Sequence, residues 1–336
     1  LIVAGEGASS RAREWSEASG FPLLAEPASG AWCGGGVTPF EQFLVSSPLG
    51  REVDAVVVTG RPTLSRPIQA LLARPDVRVV VVDAHAPWVD ISGNASVVVA
   101  DLEPAREPIR AAQAEWAARV REAARDAGER IDSLLASGSG RTMLDLARSV
   151  AASTSGPLVL GASNPVRAFD LAVPTLEGRI VHSNRGQAGI DGTIATAVGI
   201  CLGSGYAGEA SAPLGTRVTA VMGDLTACHD ASSLALASSV GANLDIVVAD
   251  DQGGGIFATL EHGRAASPEA YERWFGLAQP VDYEALAAAY GVAFARADEP
   301  FELEGLLAQP AGGPRLIHAP VERAAHLYPA LRDVLS

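Results

Sequence analysis

The chain has 336 residues, 48% of them hydrophobic, and a formal net charge of −14. That length gives two domains with sizeable cores, and so acidic a balance argues against nucleic acid, which demands a basic surface. All 25 basic residues are arginine; without lysine there is no Schiff base to pyridoxal phosphate, no Walker A loop and no lysine-based aldolase chemistry. Cys33, Cys201 and Cys228 are far apart in sequence, with neither metal spacing nor disulfide density, and fit a reducing cytoplasm. No apolar run reaches the roughly 18 residues of a membrane span, and no signal segment opens the chain.

Leu1–Ala4 reads as a strand, followed by Gly5-Glu6-Gly7 and a helix to about Ser19. Strand, G-x-G, helix is a Rossmann-like opening, weak as a dinucleotide fingerprint because the sixth position is Ser10. The abrupt start, without Met, suggests the back part of something longer. Phe21–Leu24 reads as a short strand and Pro27–Gly36 as a loop. Val53–Val58 and Val77–Val82 are β-branched runs flanking a helix at Ser65–Ala73. Residues 1–100 are thus a parallel α/β domain. Arg66 follows a strand at the ligand edge, where it either meets an anion or is a surface arginine in a loop. Glu107–Ala136 reads as a long connecting helix, ended by Ser137-Gly138-Ser139-Gly140. The expected domains are 1–136 and 137–336.

The second domain opens with a helix at Thr142–Ala152, a strand at Leu158–Leu160, and the turn Gly161-Ala162-Ser163-Asn164-Pro165 into a helix at Val166–Leu171. Ser163 or Asn164 caps that helix, with Pro165 in its first turn. Ile180–Ser183 is a strand with His182 near its end, and Ile190–Leu202 an apolar helix. Val218–Met222 and Leu244–Ala249 are buried strands joined by a helix at Ser232–Val240, a parallel βαβ unit. Asp282–Tyr290 (helix), Val292–Ala295 (strand), Pro300–Ala308 (helix), Arg315–His318 (strand) and Val321–Leu335 (helix) complete a doubly wound sheet.

The chemistry concentrates at the exits of the βαβ unit. Asp224 follows one strand and Asp251 the other, 27 positions on. Neighbouring parallel strands lie about 4.8 Å apart, so the two carboxylates can converge at the carboxyl edge, where open α/β sheets bind ligands. Two carboxylates beside Gly253-Gly254-Gly255 suit a hard divalent cation shared with a phosphate. The bland alternative is two aspartates in solvated turns. No histidine pair has metal spacing and no G-x-S-x-G elbow occurs; His229, after the Gly-Asp turn, is expected to pack or cap.

Gly223-Asp224, about 27 residues, and then an acidic turn with glycines resembles the metal-diphosphate motif of thiamine diphosphate enzymes. With Ser183-Asn184-Arg185-Gly186, Gly189-Ile190-Asp191-Gly192 and Gly253-Gly254-Gly255-Ile256-Phe257, the stretch from about 157 to 260 resembles the 2-succinyl-5-enolpyruvyl-6-hydroxy-3-cyclohexene-1-carboxylate (SEPHCHC) synthases of menaquinone biosynthesis. The resemblance implies two α/β domains with doubly wound parallel sheets, one Rossmann-like and one binding the cofactor. It implies thiamine diphosphate with Mg²⁺ (or Mn²⁺) on Asp224, Asp251 and the main-chain oxygen of Gly253. The second ligand is usually Asn in such enzymes. Gly223, Leu225, Thr226 and Gly254 would line the cofactor, and Ile190 would press it into its bent form. Ser163, Arg167 and Arg185 would hold substrate carboxylates, guanidinium being suited to bidentate work. Ile256 and Phe257 would line the pocket, and Arg66 is a weaker match.

The implied reaction decarboxylates 2-oxoglutarate and adds the four-carbon unit to isochorismate, in a homo-oligomer (dimer or tetramer). The family also carries an N-terminal domain that supplies the activating glutamate; that domain is not matched here, so the expectation is half a site, inactive alone. A decarboxylase or acetolactate synthase relative is the neighbouring alternative. A nicotinamide- or flavin-dependent oxidoreductase, or a non-catalytic scaffold, are the others.

Overall fold

A computed structural model describes the chain except residues 9–10, 35, 86–89, 104–109, 139, 177, 204–215, 310, 326 and 333–336. It falls into two compact units, Leu1–Leu134 with Val173–Gly178 and Leu331–Ser336, and Leu135–Ala172 with Arg179–Ala330.

The first unit holds β1 (Ile2–Ala4), β2 (Leu23–Ala25), β3 (Ala55–Thr59), β4 (Arg78–Val82) and β5 (Ala95–Val99), all parallel in the order β2-β1-β3-β4-β5. Val3, Val56, Val58, Val79 and Val81 face a core shared with Ile68 and Leu71 of helix Arg66–Leu72 and with Val120 and Ala124 of helix Ala111–Ala136. The long helix was expected from Glu107, and residues 107–109 lie outside the described part. The G-x-G turn has a local reason. A Cβ on Gly5 would lie 2.1 Å from the main-chain carbon of Arg61, because the Gly60–Pro62 turn packs directly on it.

The second unit holds β6 (Leu158–Leu160), β7 (Val181–His182), β8 (Val218–Gly223), β9 (Leu244–Asp250), β10 (Ala293–Arg296) and β11 (Arg315–Pro320). They form one parallel sheet in the order β10-β11-β9-β8-β6-β7. The chain leaves β6 for the β7 edge and then returns to β8 on the other side, so the winding reverses between β6 and β8. Strands β8 and β9 are buried throughout as far as Met222 and Ala249, as largely apolar strands covered on both faces are. Met222, Val248, Ile194, Ala197 and Leu234 pack into one core.

One charge lies deep within this sheet. Asp245, 1% exposed, accepts from Arg217 at 2.5 and 2.8 Å and from Arg315 at 2.8 Å near the strands' amino ends.

Several boundaries differ from the sequence reading. The helix expected at Ile190 begins at Thr193, because Gly192 takes a left-handed φ of 64° and the Asp230 carboxylate accepts from the N–H groups of Ile194 (2.6 Å) and Ala195 (3.2 Å). The helix expected from Val321 begins at Leu327. Residues 321 and 322 are held extended, Val321 N–H donating to Asp250 O and Glu322 N–H to Arg141 O, each at 2.8 Å. Thr142 caps helix Met143–Ser153 through a reciprocal pair with Asp145. Among the described residues no helix is long and apolar enough to cross a membrane.

Candidate functional site

Strand β8 delivers Gly223 beside Ala249 of β9, and the chain turns at once into helix Asp224–His229. Asp224 is thereby only 2% exposed. Its Oδ1 accepts from the Leu225 N–H at 2.8 Å, and its Oδ2 is buried with no hydrogen-bond partner. Burial pushes this carboxyl up to about 7, with the Asp251 and Asp250 charges adding to the effect and the Leu225 and Gly253 N–H groups opposing it. A buried oxygen without a donor, flanked by like charges, is destabilised as it stands. A hard cation would relieve it, so the donors fit Mg²⁺. Thr226 is buried behind it.

Strand β9 ends at Asp250, and residues 251–255 form a tight loop. Gln252 adopts φ 59° and Gly253 φ 124°, both in the left-handed half of backbone space. Burial raises Asp251 to about 6, offset by the Arg323 charge and the Gly255 N–H. Asp250, which the sequence reading passed over, is held low. Desolvation works against ionisation there, but His318 and the Gln252 N–H outweigh it. His318 Nε2 lies 2.9 Å from Asp250 Oδ2, and Arg296 lies 3.3 Å from its Nδ1. An arginine can only donate, so the ring proton sits on Nε2 and points at Asp250. Asp250, Asp251, Arg296, His318 and Arg323 line a cavity of about 390 Å³. A larger apolar cavity, about 450 Å³, lies in the first unit around Trp15 and Trp116. Its lining is mostly apolar, with Glu52, Asp54 and Glu103 as its acidic members.

The glycine run is filled by the protein itself. A Cβ on Gly253 would sit 1.8 Å from Gly276 O and one on Gly254 2.1 Å from Phe275 O. Segment 272–276 packs on the loop, with Phe275 5.7 Å from the ring of Phe257. Ile256 and Phe257 follow in the turn Gly255–Thr259, Phe257 being 37% exposed.

At the exit of β6, Arg167 donates to Ala162 O (3.3 Å) and Ser163 O (3.0 Å), and Arg185 donates to the same Ala162 O at 3.0 Å. Two guanidinium groups therefore converge on the Gly161–Ser163 turn. Ser163 itself is half-buried, and Arg185 is buried. Ile190 is 38% exposed on the turn before Thr193 rather than within a helix. His229 pairs its Nε2 with the Asp191 carboxylate, and desolvation lowers the pKa of His182 on β7. Arg66 begins helix Arg66–Leu72 of the first unit.

Asp224, Asp251, the Gly253 loop, Arg167 and Arg185 all leave the sheet at strand exits. Among the described residues, no three side chains of His, Cys, Asp and Glu gather as a metal-ligand group. A metal here would rest on two carboxylates and main chain. Asp230, His318 and Arg323, which organise these elements, were not singled out from sequence. Each works through a partner distant in the chain, and no local motif announces it.

Residues 170–319 match the family described as thiamine pyrophosphate enzyme, C-terminal TPP binding domain. The chain is 41% identical over 96% of its length to a SEPHCHC synthase of Nocardioides sp., covering 61% of that protein. It is 41% identical over 93% of its length to the synthase of Kineococcus radiotolerans, covering 56% of it. With the synthase of Mycobacterium leprae it shares 35% identity over 97% of its length, covering 57%. The chain spans about three fifths of the curated relatives it matches. It is thus a homologue of the SEPHCHC synthases along nearly all its length, and the stretch that matches the C-terminal thiamine pyrophosphate-binding domain falls mostly in its second unit.

Proposed function

We propose that the second unit binds thiamine diphosphate through Mg²⁺ (or Mn²⁺) held by Asp224, Asp251 and the main-chain oxygen of Gly253. The chain would contribute this half of the site to a SEPHCHC synthase. The observation that carries the reading is the Asp224 carboxyl. It is buried, has one oxygen without a donor, and is pushed up first by that burial and then by its neighbours Asp251 and Asp250. A group in that state has a large differential affinity for a cation. Bound there, the cofactor supplies an electron sink for decarboxylation of a 2-oxo acid.

The chain's own residues would do the rest. Gly223, Leu225, Thr226 and Gly254 form the walls around the diphosphate. Ile190, exposed on its turn, would present an aliphatic surface to the cofactor. Arg167 and Arg185, both bonded to the Ala162 carbonyl, would meet the carboxylates of 2-oxoglutarate and isochorismate, which accounts for local arginine in an acidic chain. Ser163 donates beside them. Ile256 and Phe257 would line the pocket, and Arg66 would be the weaker member of the substrate set. An N-terminal domain supplying the activating glutamate, a homo-oligomer and a cytoplasmic setting complete the proposal. The free thiols of Cys201 and Cys228 support that setting.

Calorimetric titration of thiamine diphosphate with and without Mg²⁺ tests the reading. Binding that requires the metal and vanishes in Asp224→Ala is expected. Metal-independent binding, or wild-type affinity in Asp224→Ala, would overturn it.

A further inference from the structure

The loop after β9 has its carbonyl groups taken in a particular order. Asp250 O accepts from the Val321 N–H at 2.8 Å. Asp251 O accepts from Arg323 Nε at 2.6 Å, and Gln252 O from the second terminal nitrogen of the same guanidinium. Gly254 O accepts from the Tyr271 hydroxyl at 3.0 Å. Between them, the carbonyl of Gly253 accepts from no group among the described residues. The remaining Arg323 nitrogen is anchored by Glu272 Oε1 at 2.6 Å, and the guanidinium carbon lies 6.0 Å from the Tyr271 ring.

Residues 321–323 therefore cover three consecutive carbonyls with one backbone N–H and one side chain, and the fourth is left. The backbone there takes an uncommon path, since Gln252 is not glycine and still has φ 59°. Such a conformation is unfavourable for a residue other than glycine and persists only where its surroundings over-determine it. A planar guanidinium with donors in a fixed fork can hold two adjacent peptide planes at once; an ammonium on a flexible stem cannot.

We propose that Arg323 is a positioning residue of the metal loop: by holding the Asp251 and Gln252 carbonyls it leaves Gly253 O as the main-chain ligand presented to Mg²⁺. The inference rests on the cofactor reading above, and adds to it a residue and a role. Glu272 is the outer anchor of the clamp, and Tyr271 fixes the loop's far end. Arg323 would act on the metal through the loop carbonyls it holds.

The test is Mg²⁺ affinity, measured calorimetrically on the full chain at fixed thiamine diphosphate, with the metal-free melting temperature as a control. Partners that orient metal ligands typically contribute about 10- to 100-fold in affinity. Arg323→Gln is expected to weaken Mg²⁺ binding by at least about tenfold, with Arg323→Lys in between. The binding lost is expected to return at high Mg²⁺, which a general loss of folding would not allow. If Arg323→Gln does not fold, Glu272→Gln decides. Glu272 is well exposed (side chain 56%), and its loss should loosen the clamp and weaken Mg²⁺ about threefold or more. Wild-type Mg²⁺ affinity in folded Arg323→Gln and Arg323→Lys, or in Glu272→Gln where it decides, overturns the clamp. Failure of the wild-type chain to take up thiamine diphosphate with Mg²⁺ would instead sink the cofactor reading itself, so the two failures are distinct.

Discussion

Replacing Asp224 by asparagine should stabilise the metal-free protein, and the gain should depend on pH. The carboxyl lies near pKa 7 in the folded chain against an ordinary value of 3.8. One pKa unit is about 1.4 kcal/mol of preference between protonation states, so ionising Asp224 in place is worth up to roughly 4 kcal/mol against the fold. The sign follows from proton counting. Between pH 4 and pH 7 the folded chain keeps a proton that the unfolded chain has released, so stability falls as pH rises through that window and is level above it. Three carboxyl groups share the site, and about half the full figure is the reasonable expectation for one of them. Asp224→Asn carries no such charge. Its advantage over wild type in urea unfolding, without metal, should grow by roughly 1–3 kcal/mol from pH 5 to pH 8. Saturating Mg²⁺ with thiamine diphosphate should then reverse the order, since only wild type gains from binding. Unfolding free energies that change in parallel with pH for the two proteins would refute the argument.

Two further outcomes follow from the same geometry. Asp251→Asn removes a charge from the proposed metal set while keeping an oxygen donor. Titration should therefore show weaker Mg²⁺ binding and lower metal dependence than in the wild type, and unchanged or tighter binding would count against an acidic second ligand. Asp230→Ala strips the cap from helix Thr193–Gly203 and leaves Ser233 without its 2.6 Å partner. A loss of about 1–2 kcal/mol in chemical unfolding is expected; a change near zero would mean that the helix end finds other acceptors.

Much of the site was legible because its signals are local. Val218–Met222 and Leu244–Ala249 are largely apolar runs, interrupted only by Thr219 and Asp245, and Gly223-Asp224 and Asp250–Gly255 stop them abruptly. Strand type, parallel pairing and the two exits follow from that alone. Helix Pro300–Ala308 was equally plain, with Pro at its first position and Glu302 closing a capping box. What escaped has long-range causes. Arg323 acts on a loop 72 positions earlier and His318 on a residue 68 earlier, and nothing in either neighbourhood marks that role. Val321–Leu335 has helical composition throughout, yet two main-chain bonds to distant segments hold its first residues extended. Ile190 was misplaced for the opposite reason. Its apolar character suits a helix, but Gly192 and the remote cap from Asp230 set the start three residues later. Strand β5 at the sheet edge is only partly buried, so its pattern is faint.

The buried Asp245 has a consequence for how this chain can vary. Two arginines hold it, one on each flank, where water has almost no access. Losing Asp245 leaves the buried Arg315 guanidinium without its carboxylate, a penalty of about 3–5 kcal/mol that rivals the whole margin by which a domain stays folded, and losing either arginine leaves the carboxylate half-compensated. Replacing all three together with well-packed apolar residues would cost little, since such triads are often dispensable as a set. Descent through single substitutions therefore has a barrier in its path. The trio is inherited or abandoned as one unit, and a homologue carrying leucine at one of these positions should carry apolar residues at the other two.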